Sequence, residues 1–123
     1  MAIKIDKENK IIQKTVTGEL HTDRSLALVR ELSMAANLYK GYSILMDLRE
    51  TVTMPAMHDM LAIASACSNM DSDFDSRIAF LIPDTEERVR LAQLFKACME
   101  AKGFRFKQFF DAEAAVNWLS ETP

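Results

Sequence analysis

The sequence predicts an α/β domain: a mostly parallel, five-stranded mixed sheet packed by helices, in the order β-β-α-β-α-β-α-β-α. Three observations carry this reading. Two compact apolar runs, at residues 42–48 and 77–82, have strand length and the continuous hydrophobicity of strands buried on both faces. Around them, apolar residues recur at helical spacing. Gly18, Gly41 and Gly103 stand where one element should stop and the next begin. Strands alternating with helices imply right-handed crossovers and parallel pairing, with the first strand free to pair antiparallel.

Ile3 and Ile5 alternate with Lys4 and Asp6 as in a short strand, and Lys7-Glu8-Asn9-Lys10 turns the chain. A second strand is expected from Ile11 to Thr17, ending at Gly18. Thr22 or Asp23 is the expected cap of the first helix, because a short side-chain oxygen can accept a free N–H of the first turn. Leu28, Leu32, Ala35 and Tyr39 form its stripe, and Gly41 suits the left-handed position that closes it. After the strand at 42–48, Pro55 fits the first turn of a helix bearing Met57, Met60, Leu61, Ala64 and Cys67. Pro83 stops the strand at 77–82, and Asp84 with Glu87 has capping-box spacing for the third helix. Leu91, Leu94, Phe95 and Cys98 form one face of that helix, flanked by Val89, Ala92 and Met99. Phe104, Phe106 and Phe109 mark a fifth strand, with Arg105 and Lys107 expected on its opposite face. Asp111 is placed to cap a last short helix with Val116, Trp118 and Leu119.

A chain of 123 residues fits one domain over 1–123 and buries roughly two thirds of its unfolded surface, so no disulfide or metal staple is required. Apolar residues make up 49% and charged residues 27%, an ordinary globular profile. The net charge of −3, with both signs interspersed, disfavours a dedicated nucleic-acid binder, which normally carries a basic excess. Cys67 and Cys98 lie within apolar helical patterns, where cysteine behaves as a small hydrophobe. No run approaches the ~18 apolar residues of a membrane span, and Met1–Lys10 lacks a signal-peptide core. A cytoplasmic protein is expected.

Parallel sheets bind ligands beyond the carboxyl ends of their strands. The loops at residues 18–23, 49–59, 83–87 and 110–113 qualify, and they carry His21, Asp23, His58, Asp59 and Asp84. The acids suit helix first turns better than a metal, and no local ligand motif such as His-x-x-x-His is present. A His–Asp pair without a Ser or Cys nucleophile nearby is weak ground for hydrolysis, so no enzyme is expected. Met54, Met57 and Met60, three residues apart, cover one side of a helix. Met60 suits the core, whereas Met54 and Met57 near the loop are candidates for an adaptable contact surface.

Three other patterns lose to plainer readings. Asp71–Asp75 opens like a calcium loop, but Ser76 replaces the required glycine and Ile82 the closing glutamate. Lys102, Arg105 and Lys107 interleaved with Phe104 and Phe106 superficially suggest RNA stacking, yet charges on an edge strand more often prevent unwanted sheet pairing. Glycine-rich phosphate loops are absent, and no cofactor is expected.

The element order, Thr17-Gly18-Glu19-Leu20 closing the second strand, the strand end Leu45-Met46-Asp47-Leu48 and the closing Ala114-Ala115-Val116-Asn117-Trp118-Leu119 helix together resemble the STAS family. That family comprises the SpoIIAA-like anti-sigma-factor antagonists and domains appended to sulfate transporters. The resemblance covers nearly the whole chain, and the last segment is most similar to an uncharacterised SpoIIAA-like subgroup described as STAS/SEC14-type. It implies a helix-covered mixed sheet that acts by regulated protein contact, with partners docking at the start of the helix after the third strand. The family's phosphorylatable Asp-Ser-Ser/Thr-Gly segment is missing here: residues 51–59 read Thr-Val-Thr-Met-Pro-Ala-Met-His-Asp, and the acceptor position falls on or near Ala56.

The leading expectation is therefore a non-enzymatic regulatory or protein-interaction domain. Its working face would comprise Glu19, His21, Met54, Met57, His58 and Asp59. The alternative is a small apolar-ligand or lipid binder, which requires a pocket between helices and sheet lined by Met and Phe.

Overall fold

A computed structural model describes residues 3–53, 61–63, 65–66 and 77–121. Its elements are β1 (Lys4–Asp6), β2 (Ile11–Leu20), α1 (Thr22–Leu38), β3 (Ser43–Thr53), α2 (described at residues 61–63 and 65–66), β4 (Arg77–Leu81), α3 (Glu86–Ala101), β5 (Arg105–Phe109) and α4 (Ala112–Leu119). The sheet order is β1-β2-β3-β4-β5. The short β1 pairs antiparallel with β2, and every later pairing is parallel. The expected α/β class and mixed five-stranded sheet are therefore observed.

Each crossover advances the sheet by one strand in the same direction. With a constant hand, that places the connecting helices on one face. Even-numbered side chains Ile12, Val16, Ile44, Met46, Leu48, Ile78 and Phe106 meet Leu28, Val29, Leu32 and Ala35 of α1 and Phe95 and Met99 of α3. Odd-numbered Ile11, Leu45, Ala79 and Leu81 meet Ala115 and Leu119 of α4 on the other face. The two apolar runs are continuous because both faces are covered. Phe109 follows the odd set and packs with Trp118, ring centroids 5.8 Å apart, whereas Phe106 packs on Phe80 and Phe95. The expectation that Phe109 shares a face with Phe106 is thus corrected by strand parity: it lies on the side of Arg105 and Lys107.

Two strands run longer than expected. β2 continues through Gly18, at φ +88°, to Leu20, and β3 continues through Arg49–Thr53, polar but for Val52. Their ladder skips a residue, from Thr15↔Asp47 to Thr17↔Glu50, so β3 carries a bulge. Asp47 stabilises it by accepting the Arg49 backbone N–H at 3.1 Å and the guanidinium at 3.0 and 2.8 Å. The bulge reverses the alternation of β3. Thr51 becomes buried, and Val52 emerges 64% exposed.

Helix caps differ in detail from expectation. His21, not Thr22 or Asp23, caps α1, its Nδ1 accepting the Arg24 N–H at 3.2 Å. An imidazole nitrogen has the reach of an Asn oxygen, although capping preferences rank it lower. Thr85, one residue beyond Asp84, caps α3 through Oγ1 to the Arg88 N–H, and Asp111 caps α4 as expected. Past the helix ends, Gly41 and Gly103 take φ +84° and +91°.

Two buried cations pin helices to the sheet. Arg77 donates to the Trp118 carbonyl and stacks 5.4 Å from the Trp118 ring, which fixes α4. Lys14, only 4% exposed, meets Glu31 of α1 at 2.5 Å. Removing a carboxylate from a buried ammonium costs more than replacing both partners. Glu31→Ala is expected to cost about 1–2 kcal/mol in urea unfolding, whereas Lys14→Met combined with Glu31→Leu should stay near the parent value.

The Arg49 guanidinium beside Asp47 holds the Asp47 carboxyl below the usual aspartate range, opposed by partial burial. A depressed folded value stabilises the fold above the ordinary pKa near 3.9 and loses that contribution as pH falls through and below it. The pair is partly exposed, so a few tenths to about 1 kcal/mol is at stake. Urea midpoints taken from about pH 5.5 down to 3 should fall less steeply for Asp47→Asn than for the parent.

Candidate functional site

Because β2, β3, β4 and β5 run parallel, their carboxyl ends share one edge, where ligands of such sheets gather. Glu19 and His21 both lie there and both are exposed. Glu19 pairs in register with Val52, and its carbonyl accepts Arg24 Nη1 at 2.8 Å. His21 Nδ1 is engaged in the α1 cap. Met54, Met57, His58 and Asp59 lie outside the described residues, as do Cys67 and the acids at 71, 73 and 75. Asp23 and Asp84 are both exposed, and among the described residues no three His, Cys, Asp or Glu side chains converge as a metal-ligating group.

Glu19 and His21 flank Leu20, which is buried. Leu20 lines a cavity of about 130 Å³ on the helix-covered face of the sheet. Ile44, Met46 and Leu48 of β3 and Ile78, Phe80 and Ile82 along and just beyond β4 form its floor. Leu28, Val29 and Leu32 of α1 form one wall, Leu91, Ala92, Phe95 and Met99 of α3 the other, and Ile63 of α2 borders it. These are largely the side chains whose periodicity predicts the helices. Among the described residues, α1 and α3 stand over different strands: α1 residues pack beside β2 and β3, while Phe95 stacks on Phe80 of β4 at 5.4 Å and meets Phe106 of β5 at 5.3 Å.

Two polar side chains, Ser25 and Arg88, line the cavity among the described residues. The β3 bulge supplies the partner of the second. Thr51 Oγ1 donates to the Leu48 carbonyl at 2.6 Å and accepts Arg88 Nη2 at 3.1 Å, while the Thr51 carbonyl accepts Arg88 Nη1 at 2.7 Å. Burial pulls the Arg88 guanidinium below its usual pKa, with the nearby Glu87 charge opposing. An arginine remains charged through such a shift. The site is thus an apolar chamber with one cation at the carboxyl edge.

Sequence reasoning did not single out Arg88 or Thr51. Both sit in polar stretches whose meeting depends on the bulge, which leaves no mark in the pattern of residues. The interleaved Phe104 and Phe106 are also placed: Phe106 is 3% exposed and Phe104 packs against the same core, so neither offers a free ring for base stacking. Among the described residues no helix is long and apolar enough to cross a membrane. No family model matches the chain, and no curated protein matches it either.

Proposed function

We propose that this domain is a binding module that holds a small apolar group in the cavity between α1, α3 and the sheet. The observation that carries the reading is the cavity itself: about 130 Å³, walled by aliphatic, Met and Phe side chains. A fully enclosed apolar void of about that volume costs on the order of 3 kcal/mol; this one is only partly enclosed, so its cost is smaller. Larger residues at Ala92 would remove it. An empty apolar chamber of about 150 Å³ takes up benzene, so the occupant is an aryl group or a short alkyl chain.

A neutral probe tests this whatever the natural ligand is. Titrating 1-octanol should give saturable methyl shifts at Leu28, Ile44, Leu48 and Ile78. Ala92→Leu, which fills the chamber, should weaken octanol binding roughly tenfold or more while leaving the thermal midpoint equal or higher. Uniform small shifts across the surface, or an Ala92→Leu variant that binds octanol as well as the parent, would overturn the reading.

Regulated protein contact is the second reading, favoured by Val52. An apolar residue 64% exposed lies in register with Glu19 at the carboxyl edge. The resemblance to the STAS family supports contact at this end of the fold. If it holds, Val52→Asp should weaken a stoichiometric protein partner roughly tenfold and leave octanol binding unchanged. A partner indifferent to Val52→Asp and to Glu19→Lys would remove this surface from consideration.

A further inference from the structure

We propose that the ligand of this cavity is an amphipathic carboxylate, its apolar portion in the chamber and its carboxylate held by Arg88; this rests on the cavity-binding reading above.

Elsewhere the chain gives its buried cations a carboxylate. Lys14 has Glu31 at 2.5 Å, and Arg77 has Glu121 at 3.6 Å. Arg88 is partly buried at the cavity wall, yet among the described residues it has no carboxylate within ion-pair distance. Its partners there are the carbonyl and hydroxyl of Thr51, both neutral. A guanidinium has five N–H donors in a planar fork. Two are used, leaving others to serve a ligand.

Partial desolvation outweighs the nearby Glu87 charge at Arg88, and an anion entering the same wall relieves it. Among the described lining residues, Arg88 is the one cation and Ser25 the other polar side chain. Among the described residues, nothing else in the chamber would pair with a second anionic group, and the lining solvates a polar chain poorly. The recognised chemistry is one anionic head on a short apolar body. A carboxylate matches the guanidinium fork in width and can take two parallel N–H bonds.

Octanoate and 1-octanol share a chain length and differ at the head, so comparing them isolates the anchor. In the wild-type chain at neutral pH and low salt, octanoate should bind at least roughly tenfold more tightly than 1-octanol. Arg88→Met, which keeps the length of the stem, should bring octanoate down to the level of octanol measured in the same variant. Arg88→Lys should restore part of the difference. If octanol binds in the cavity but octanoate binds no better, the anchor is wrong and the cavity reading stands. If neither binds, both fail. Should Arg88→Met not fold, the wild-type comparison still decides, together with the Arg88 Nε–H resonance. That resonance should move on adding octanoate and stay in place on adding octanol; the reverse, or no movement with octanoate, overturns the anchor.

Discussion

The fold depends on one geometric constraint: a sheet that grows strand by strand in a single direction, with crossovers of one hand, collects its connecting helices on one face. β2 through β5 obey it, so α1 and α3 share a side. The other face is left to α4, whose eight residues cover β3, β4, β5 and Ile11 at the start of β2 but leave the rest of the rear of β2 polar, with Thr15 and Thr17 exposed. The unequal packing of the two faces follows. Among the described residues, the helix-rich side fills the space between α1 and α3 only in part. The short-helix side closes tightly over Ala79 and Ala115, both fully buried.

Alternation is the second constraint, and the β3 bulge is where it changes phase. Up to Leu48 the even residues face the helices; beyond the bulge Thr51 does. One inserted residue therefore converts what would have been a solvent-facing threonine into the acceptor of the Arg88 guanidinium. It also turns Val52 outward at the carboxyl edge. The two features on which the proposed ligand and protein contacts rest come from the same irregularity, and bulges are concentrated near functional sites.

How much of this was legible follows from which rule each residue obeys. The strands at 42–48 and 77–82 were readable because double burial makes runs such as Ile44-Leu45-Met46 and Ile78-Ala79 continuous. The stripes of α1 and α3 were readable from spacing alone. The tail of β3 was not, since Arg49–Thr53 is polar but for Val52 and held by backbone pairing to β2. Caps were readable to within one residue: Asp111 as expected, Thr85 beside Asp84, and His21 beside Thr22. Of the six expected contact residues, Glu19 and His21 fall at the carboxyl edge, and the other four lie outside the described residues. A cavity is a shortfall of volume between elements, and no residue pattern encodes a shortfall. Arg88 was hidden for the same reason, since its meaning depends on a bulge 37 residues earlier in the chain.

The Arg88–Thr51 contact bears on affinity as well as on stability. A free arginine side chain loses about 2 kcal/mol of rotamer freedom when it is fixed, a cost that a ligand would otherwise bear on binding. Here the two bonds to Thr51 already orient the guanidinium, and Thr51 is itself held to the Leu48 carbonyl. The chain thus orders the cation during folding, in part through a backbone carbonyl that survives substitution of the Thr51 side chain. A carboxylate anchor in this position would come preformed, with its charge partly desolvated and donors still open. For the proposed ligand, specificity would then rest on the chamber, whose volume limits the apolar body, more than on the head, whose partner would suit any small anion of carboxylate shape.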